Sequence, residues 1–375
     1  MTDERVPPVP AIGLVGLGNI GGAAVRLIGR LPGVSRVVLV DADKYEAANW
    51  PTQVMRRQDA GCTKVTVQAR ELARIAPHLT ILKRAERIES VPLGVLRHCV
   101  LLSCVDSRGA RQTINRVAYR LGMPWIDAAL DRDGNVRARA YLSASEADCL
   151  ECAWGPLDYE LRGSAAPCAG STVTSAPTRA PVEYGAIAAG LQMSCLRALL
   201  EANDDQARRE IASRQVLLDV STGRAMVARY EANPHCRFDH RTWSITPTGH
   251  SARDFTLHQT LSLAGGDYRA ATLQLDGQLF VNRLRCIGCN RVARTRVWRV
   301  SSRLPTGLCR CGGRLLPDPS GTVDSLSAAL GRRTLERPLS WFGLADRDVV
   351  TLISGATTRH LEIGTGNTEE LWMQS

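Results

Sequence analysis

Three groups of residues in this chain of 375 carry chemistry in their types and spacing. The first is Gly16-Leu17-Gly18-Asn19-Ile20-Gly21, with Asp41 twenty residues beyond. Glycines so spaced let the backbone approach a phosphate. A helix starting behind them offers free N–H groups and its positive dipole end, and Asp41 can accept hydrogen bonds from ribose hydroxyls. The pattern points to an adenine nucleotide or dinucleotide, without separating a dehydrogenase from an adenylating enzyme. The second group is Cys286-Ile287-Gly288-Cys289, then nineteen residues, then Cys309-Arg310-Cys311-Gly312-Gly313. This is the spacing of a zinc ribbon, with glycines that let N–H groups turn toward thiolate sulfur. The third comprises Cys149-Leu150-Glu151-Cys152 and, far downstream, Cys236-Arg237-Phe238-Asp239-His240.

Elements to hold these residues are legible around them. Ala11 to Val15 is an apolar run that stops at the glycines. The segment behind it places Ala24, Leu27, Ile28 and Leu31 on one helical face. Gly33 separates that helix from a buried-strand run, Val37 to Val40, which closes on Asp41. A later strand, Cys99 to Cys104, runs into Val105-Asp106, and another covers Pro124 to Ala128. This alternation predicts an α/β fold, a Rossmann-like, doubly wound and mostly parallel sheet. Ala186 to Leu200 reads as an apolar helix with Cys195 in the core. After His240 the pattern changes: Thr256 to Val281 and Val349 to Ile363 alternate apolar and polar residues between glycine turns. Two domains are therefore expected, at 1–245 and 246–375, the second small, β-rich and carrying the ribbon at about 280–315. Trp341 and Phe342 read as part of its core.

Composition narrows the class. With 44% apolar and 22% charged residues the chain is an ordinary globular one rather than disordered. Twelve cysteines are too few for a disulfide scaffold of this length. No apolar run approaches the roughly 20 residues that span a bilayer, and the start, MTDERVPPVPAIGLVG, lacks the apolar stretch of a signal peptide. The expectation is a cytoplasmic protein with no membrane contact, in a reducing compartment where paired cysteines bind metal. The net charge is +10, and only Lys44, Lys64 and Lys83 among 47 basic residues are lysine. The arginines are scattered, with short clusters at Arg56–Arg57, Arg208–Arg209 and Arg332–Arg333. No continuous basic stripe argues for nucleic acid.

Read in order, the motifs resemble the ThiF/MoeB-type adenylating superfamily, which includes the ubiquitin-activating enzymes. That family shows GxGxxG, Asp-x-Asp, Asn-x-x-Arg-Gln, a lysine about a dozen residues on, a strand ending in Asp, and then Arg and Asn on the next helix. Here those places hold Gly16, Gly18 and Gly21; Asp41 and Asp43; Asn49 and Gln53; Lys64; Asp106; Arg111 and Asn115. The likeness covers roughly residues 10 to 245. It implies adenylation of a carboxylate by ATP, which accumulates negative charge at phosphorus and needs positive groups and Mg2+ in place. On that reading Lys64 serves the phosphates, Asp106 holds Mg2+, and Asn49 and Gln53 bridge ribose and phosphate. A lysine at the required place in so arginine-rich a chain suggests that a compact ammonium was needed.

Two departures from the family pattern stand out. Thr52 replaces the arginine before Gln53, with Arg56 or Arg57 as substitutes for its charge. With few residues before the first strand, the family's N-terminal helix that lends an arginine to a partner subunit is not expected here, and Arg5 is a weak stand-in. The resemblance further implies a homodimer and one structural zinc held by Cys149, Cys152, Cys236 and His240, with His235 an alternative fourth ligand. It also implies a substrate-crossing loop at SAAPCAGSTVTSAPTRAP, where Cys168 would accept an acyl group as a thioester, its pKa lowered by Arg162 or Arg179. Cys62, Cys99 and Cys104 read as packing or incidental. The leading expectation is activation of the C-terminal carboxylate of a small ubiquitin-like protein, with transfer to a conjugating enzyme or a sulfur acceptor. The cofactors expected are ATP, Mg2+ and two structural Zn2+. The competing expectations are adenylation of a ribosomal peptide or a tRNA-bound carboxylate, and a non-catalytic scaffold that binds a protein partner. An NAD dehydrogenase is the poorest option, needing neither Lys64 nor Asp106.

Overall fold

The computed structural model describes residues 11–131, 134–144, 147–164, 180–300, 308–367 and 372. They form two compact units: 11–91, 96–242 and Trp372 in the first, 92–95 and 243–367 in the second.

The first unit is built on one eight-stranded sheet, ordered β3-β2-β1-β4-β5-β6-β7-β8. Its strands are Ala11–Val15 (β1), Arg36–Val40 (β2), Thr80–Arg84 (β3), Cys99–Ser103 (β4), Trp125–Leu130 (β5), Asn135–Tyr141 (β6), Arg214–Asp219 (β7) and Arg224–Arg229 (β8). The first five are parallel, and β6 to β8 continue the sheet antiparallel. β1, β2 and β4 read as unbroken apolar runs because helices cover both faces of a parallel sheet. Ile12, Leu14, Val37, Leu39, Val100 and Leu102 are accordingly buried. Register matters for the site: Val15 lies opposite both Val40 and Ser103. The carboxyl ends of β1, β2 and β4 are thus level, at the point where strand order reverses, which is where open α/β sheets bind ligands.

Six helices complete the unit: Asn19–Ile28 (α1), Lys64–Ile75 (α2), Arg108–Leu121 (α3), Pro156–Ser164 (α4), Val182–Glu201 (α5) and Asp205–Ala212 (α6). α1 buries Ile20, Ala24, Val25 and Ile28. Leu27, expected on that face, is exposed, because the buried stripe follows 20, 24 and 28 and leaves position 27 at its edge. α5 packs its Ala188, Ala189, Met193, Leu196 and Leu199 into the same core.

The second unit carries strands Ile245–Pro247 (β9), Thr272–Leu275 (β10), Phe280–Cys286 (β11), Val292–Arg299 (β12), Leu315–Pro317 (β13), Thr322–Val323 (β14), Ser325–Ser327 (β15), Val349–Ser354 (β16) and Thr357–Glu362 (β17). One sheet is ordered β15-β10-β16-β17-β9. The other is β12-β11-β13, with β14 also on β11. The alternation from Thr256 to Val281 does not mean strand throughout, since Leu257–Ser262 is a short helix (α7). A reciprocal capping box decides this: the Thr256 hydroxyl accepts from Gln259 N–H while the Gln259 side chain accepts from Thr256 N–H. Phe342 is fully buried and Trp341 packs on the same cluster. Two buried ion pairs, Arg299–Asp348 and Arg347–Glu362, lie within this unit. Gly94 N–H donates to Arg347 C=O at 2.8 Å, which draws 92–95 into it.

Candidate nucleotide site and metal centres

The glycine turn leaves β1 tightly. Gly16 takes φ +88°, and a Cβ there would sit 2.6 Å from Cys104 O. A Cβ on Gly21 would fall 1.9 Å from Gly16 O. Both glycines are required by backbone meeting backbone. Gly18 differs: among the described residues the only atom within 4 Å of its Cβ position is Gln53 Nε2, at 4.0 Å, so these residues leave open space over the turn. Gly18 is also the N-cap of α1 and supplies no side-chain cap, so N–H groups of the first turn face that space.

Asp41 ties the turn to the end of β2. Its carboxylate accepts from Leu17 N–H at 2.7 Å and from Asp43 N–H at 2.8 Å. Burial raises its pKa, against the opposing pull of the nearby Lys64 ammonium. Lys64 opens α2, is buried, and points its Nζ at Asp43 Oδ2, 3.1 Å away on an exposed carboxylate. Gln53 Oε1 has no hydrogen-bond partner although buried. The Asn49 carboxamide accepts from Glu46 N–H, shaping its own turn. Thr52 donates its hydroxyl to Asn49 C=O. Asp106 is exposed just beyond β4. The turn, Asp41, Asp43, Lys64 and Gln53 are therefore brought together, and Asp106 follows the neighbouring strand end.

Other expected residues are committed elsewhere. Arg111 is held by the buried Asp127 carboxylate at 3.1 Å and by Val105 C=O at 2.6 Å. Arg56 is exposed and lies 3.9 Å from Glu71, which also binds Arg26 and Arg74. Arg57 stacks over Trp50. Asn115 accepts from Leu150 N–H at 3.2 Å, fixing a cysteine turn. Arg5, Cys168 and Arg179 lie outside the described residues, as does the Arg162 side chain.

Sequence reasoning missed several positioning residues. Tyr45 donates to Leu17 C=O within the glycine turn and accepts from Gln68 at 2.6 Å, and burial pushes its pKa up to about 12. Asp127 also accepts from Ser103 at 2.7 Å. Gln192 of α5 donates to Ser103 C=O and Ile126 C=O and accepts from the Cys104 thiol. Burial pushes Cys104 and Cys99 up to about 12. Both are inert packing residues. Tyr45 alone had a sequence signal, an aromatic just behind Asp-x-Asp.

Cys149, Cys152, Cys236 and His240 place their ligand atoms within 4.8 Å of one another. Cys149 and Cys236 sulfurs are 3.7 Å apart, and His240 Nε2 is 3.1 Å from Cys149 and 3.5 Å from Cys152. Tetrahedral Zn–S bonds of about 2.3 Å require sulfurs about 3.8 Å apart, so the quartet could hold zinc. His235 is exposed and outside it. The ligand-bearing end is pinned: Tyr119 stacks on His240, and Arg120 donates to Asp239 from both terminal guanidinium nitrogens. His240 itself takes φ +52°. The Cys149 thiol, donating to Cys152, holds the latter's pKa below the usual thiol range. Cys286, Cys289, Cys309 and Cys311 form a second such quartet, with sulfur pairs 3.4 and 3.7 Å apart. Gly313 packs there because a Cβ would fall 2.7 Å from Cys286 sulfur.

Among the described residues no helix is long and apolar enough to cross a membrane. In sequence the chain is 28% identical to ubiquitin-like modifier-activating enzyme 5 of Oryza sativa subsp. japonica over 38% of its length, and 26% identical to that of Bombyx mori over 51%. It spans only 37% and 51% of those relatives' own lengths. In structure it is similar to the microcin C7 biosynthetic enzyme MccB in complex with N-formylated MccA, with TM-score 0.50 and 16% identity over 61% of this chain and 67% of that one. At such identity the likeness speaks to the fold alone. The ThiF family profile matches residues 10–238. With the level strand ends and glycine turn at the switch point, that match over more than half its length settles the assignment: the chain belongs to the ThiF family.

Proposed function

We propose that this chain uses ATP to adenylate the C-terminal carboxylate of a small ubiquitin-like protein. The observation that carries the reading is the open space above Gly18, bordered by the α1 N-terminus and Gln53, beside Asp41 and the Lys64–Asp43 pair. N–H groups of the turn receive the phosphates, Asp41 receives ribose hydroxyls, and Lys64 supplies a point charge to the oxygens on which negative charge grows. Asp106 would hold Mg2+, which neutralises the leaving pyrophosphate; one carboxylate plus substrate phosphates suits that ion. A carboxylate oxygen of the substrate attacks the α-phosphorus, the α–β bond breaks, and an acyl-adenylate and pyrophosphate result. The Cys168 thiolate then attacks the acyl carbonyl, forming a thioester and releasing AMP, and the acyl group passes on to a conjugating enzyme or sulfur acceptor. Similarity to ubiquitin-like modifier-activating enzymes supports a protein rather than a free acid as substrate. Each cysteine quartet holds one structural zinc. ATP–pyrophosphate exchange stimulated by the partner protein is expected, and Lys64→Ala should lower it about a hundredfold. Preparations that bind ATP and yet exchange with no ubiquitin-like protein or peptide would overturn the proposal.

A further inference from the structure

Between Asp276 and Asp318 the sequence holds nine arginines and no aspartate or glutamate. The fold gathers what the linear sequence scatters. β11 and β12 are antiparallel, with Arg283 directly opposite Arg294 and Arg285 opposite Val292. Opposed residues share a face, as do alternate residues along a strand. Burial follows that alternation on β12, where Arg294 and Arg296 are exposed while Val297 and Arg299 are buried. The inner face of this sheet carries Leu284, Cys286, Val297 and Arg299, the last neutralised by Asp348. The outer face carries Arg283, Arg285, Arg294, Arg296 and Trp298. Exposed Arg291, Arg310 and Arg314 surround the adjoining cysteine turns.

Like charges set directly opposite repel, so the Arg283–Arg294 pair opposes sheet stability unless an anion lies across it. Among the described residues, the only ion pair from this outer face to an acidic side chain is Arg285 to Asp318, at 3.1 Å. β12 is the edge strand of its sheet, so its two outer-face arginines, Arg294 and Arg296, are accessible about 6.8 Å apart. The Arg296 guanidinium stacks 3.8 Å from the centre of the Trp298 ring.

We propose that this arginine face of the ribbon binds the phosphate backbone of a single-stranded nucleic acid. A cluster of like charge, nearly free of acidic partners, matches a polymer charged at every unit. The Arg296–Trp298 stack adds a planar surface on which a base can lie, a feature with no counterpart in an acidic peptide. The proposal is independent of adenylation and of the first unit's site.

Fluorescence anisotropy of the full chain with labelled single-stranded RNA and DNA of about 20 nucleotides tests it. Binding is expected to weaken linearly in log affinity against log salt. Arg294→Glu combined with Arg296→Glu should lower affinity about tenfold or more, with zinc content unchanged and the melting temperature not lowered. Tighter binding of either strand supports the proposal and assigns the sugar. Should charge reversal release zinc, the Arg294→Gln, Arg296→Gln pair reads the same loss without new repulsion. The proposal is overturned by absence of binding to both strands, or by undiminished binding in the folded double variant. Displacement by polyglutamate of matched charge at equal concentration also overturns it, and would reassign the face to an acidic protein.

Discussion

Three glycines look equivalent in the motif, and the fold separates them. Gly16 and Gly21 are glycines because the backbone crosses itself there; Gly18 is not, since its missing Cβ leaves room that no atom of the described residues fills. Gly18→Ala is therefore expected to leave the melting temperature nearly unchanged while weakening ATP binding about tenfold, read by calorimetric titration. Gly21→Ala should cost about 3 kcal/mol or more of stability, read by chemical denaturation. The ordering of these two effects is the informative result: a Gly18 variant as unstable as the Gly21 variant would mean the space is structural. Lys64 and Asp43 were legible because their motif lies within one short stretch of chain. Asp127 and Gln192 were not, because a buried polar side chain declares its purpose only through partners, here 24 and 89 residues away.

Among the elements, the buried strands β1, β2 and β4 were plain from apolar runs ending in glycine or aspartate. What no run of residues discloses is register, and it is register that levels their ends at the crevice. α7 was hidden by the same rule that served the strands: a short amphipathic stretch is ambiguous until its cap is recognised. α3 links two sites. Its Arg111 enters the buried Asp127 network, and one turn further on Asn115 anchors Leu150 between two zinc-spaced cysteines. Asn115→Ala leaves that N–H buried without its acceptor. It should cost about 1–3 kcal/mol and ease zinc removal from the first quartet by a chelator, while the ribbon's zinc is unaffected. Equal release from both quartets in a chelator titration would refute this linkage.

For the whole molecule, a change of composition along a chain can mark only a serial boundary. The return of 92–95 to the second unit depends on a backbone hydrogen bond from Gly94 to Arg347, which composition does not register. Likewise the basic face became visible only when pairing placed Arg283 against Arg294. Metal analysis of the full chain is expected to give two zinc ions, and fewer would remove one quartet from the account. The two quartets also belong to different moments in the life of the polypeptide. Ribbon cysteines pair across 20 and 25 residues, whereas the other set closes across 87 to 91. Closing the longer loop costs about 1 kcal/mol more in chain entropy and requires far more of the sequence to be in place. On the ribosome, Cys149 and Cys152 emerge long before Cys236 and His240, so they wait without their partner ligands through the synthesis of all that lies between. In refolding with limiting metal, the ribbon fills first, and the older cysteines are the ones exposed to oxidation in the interval.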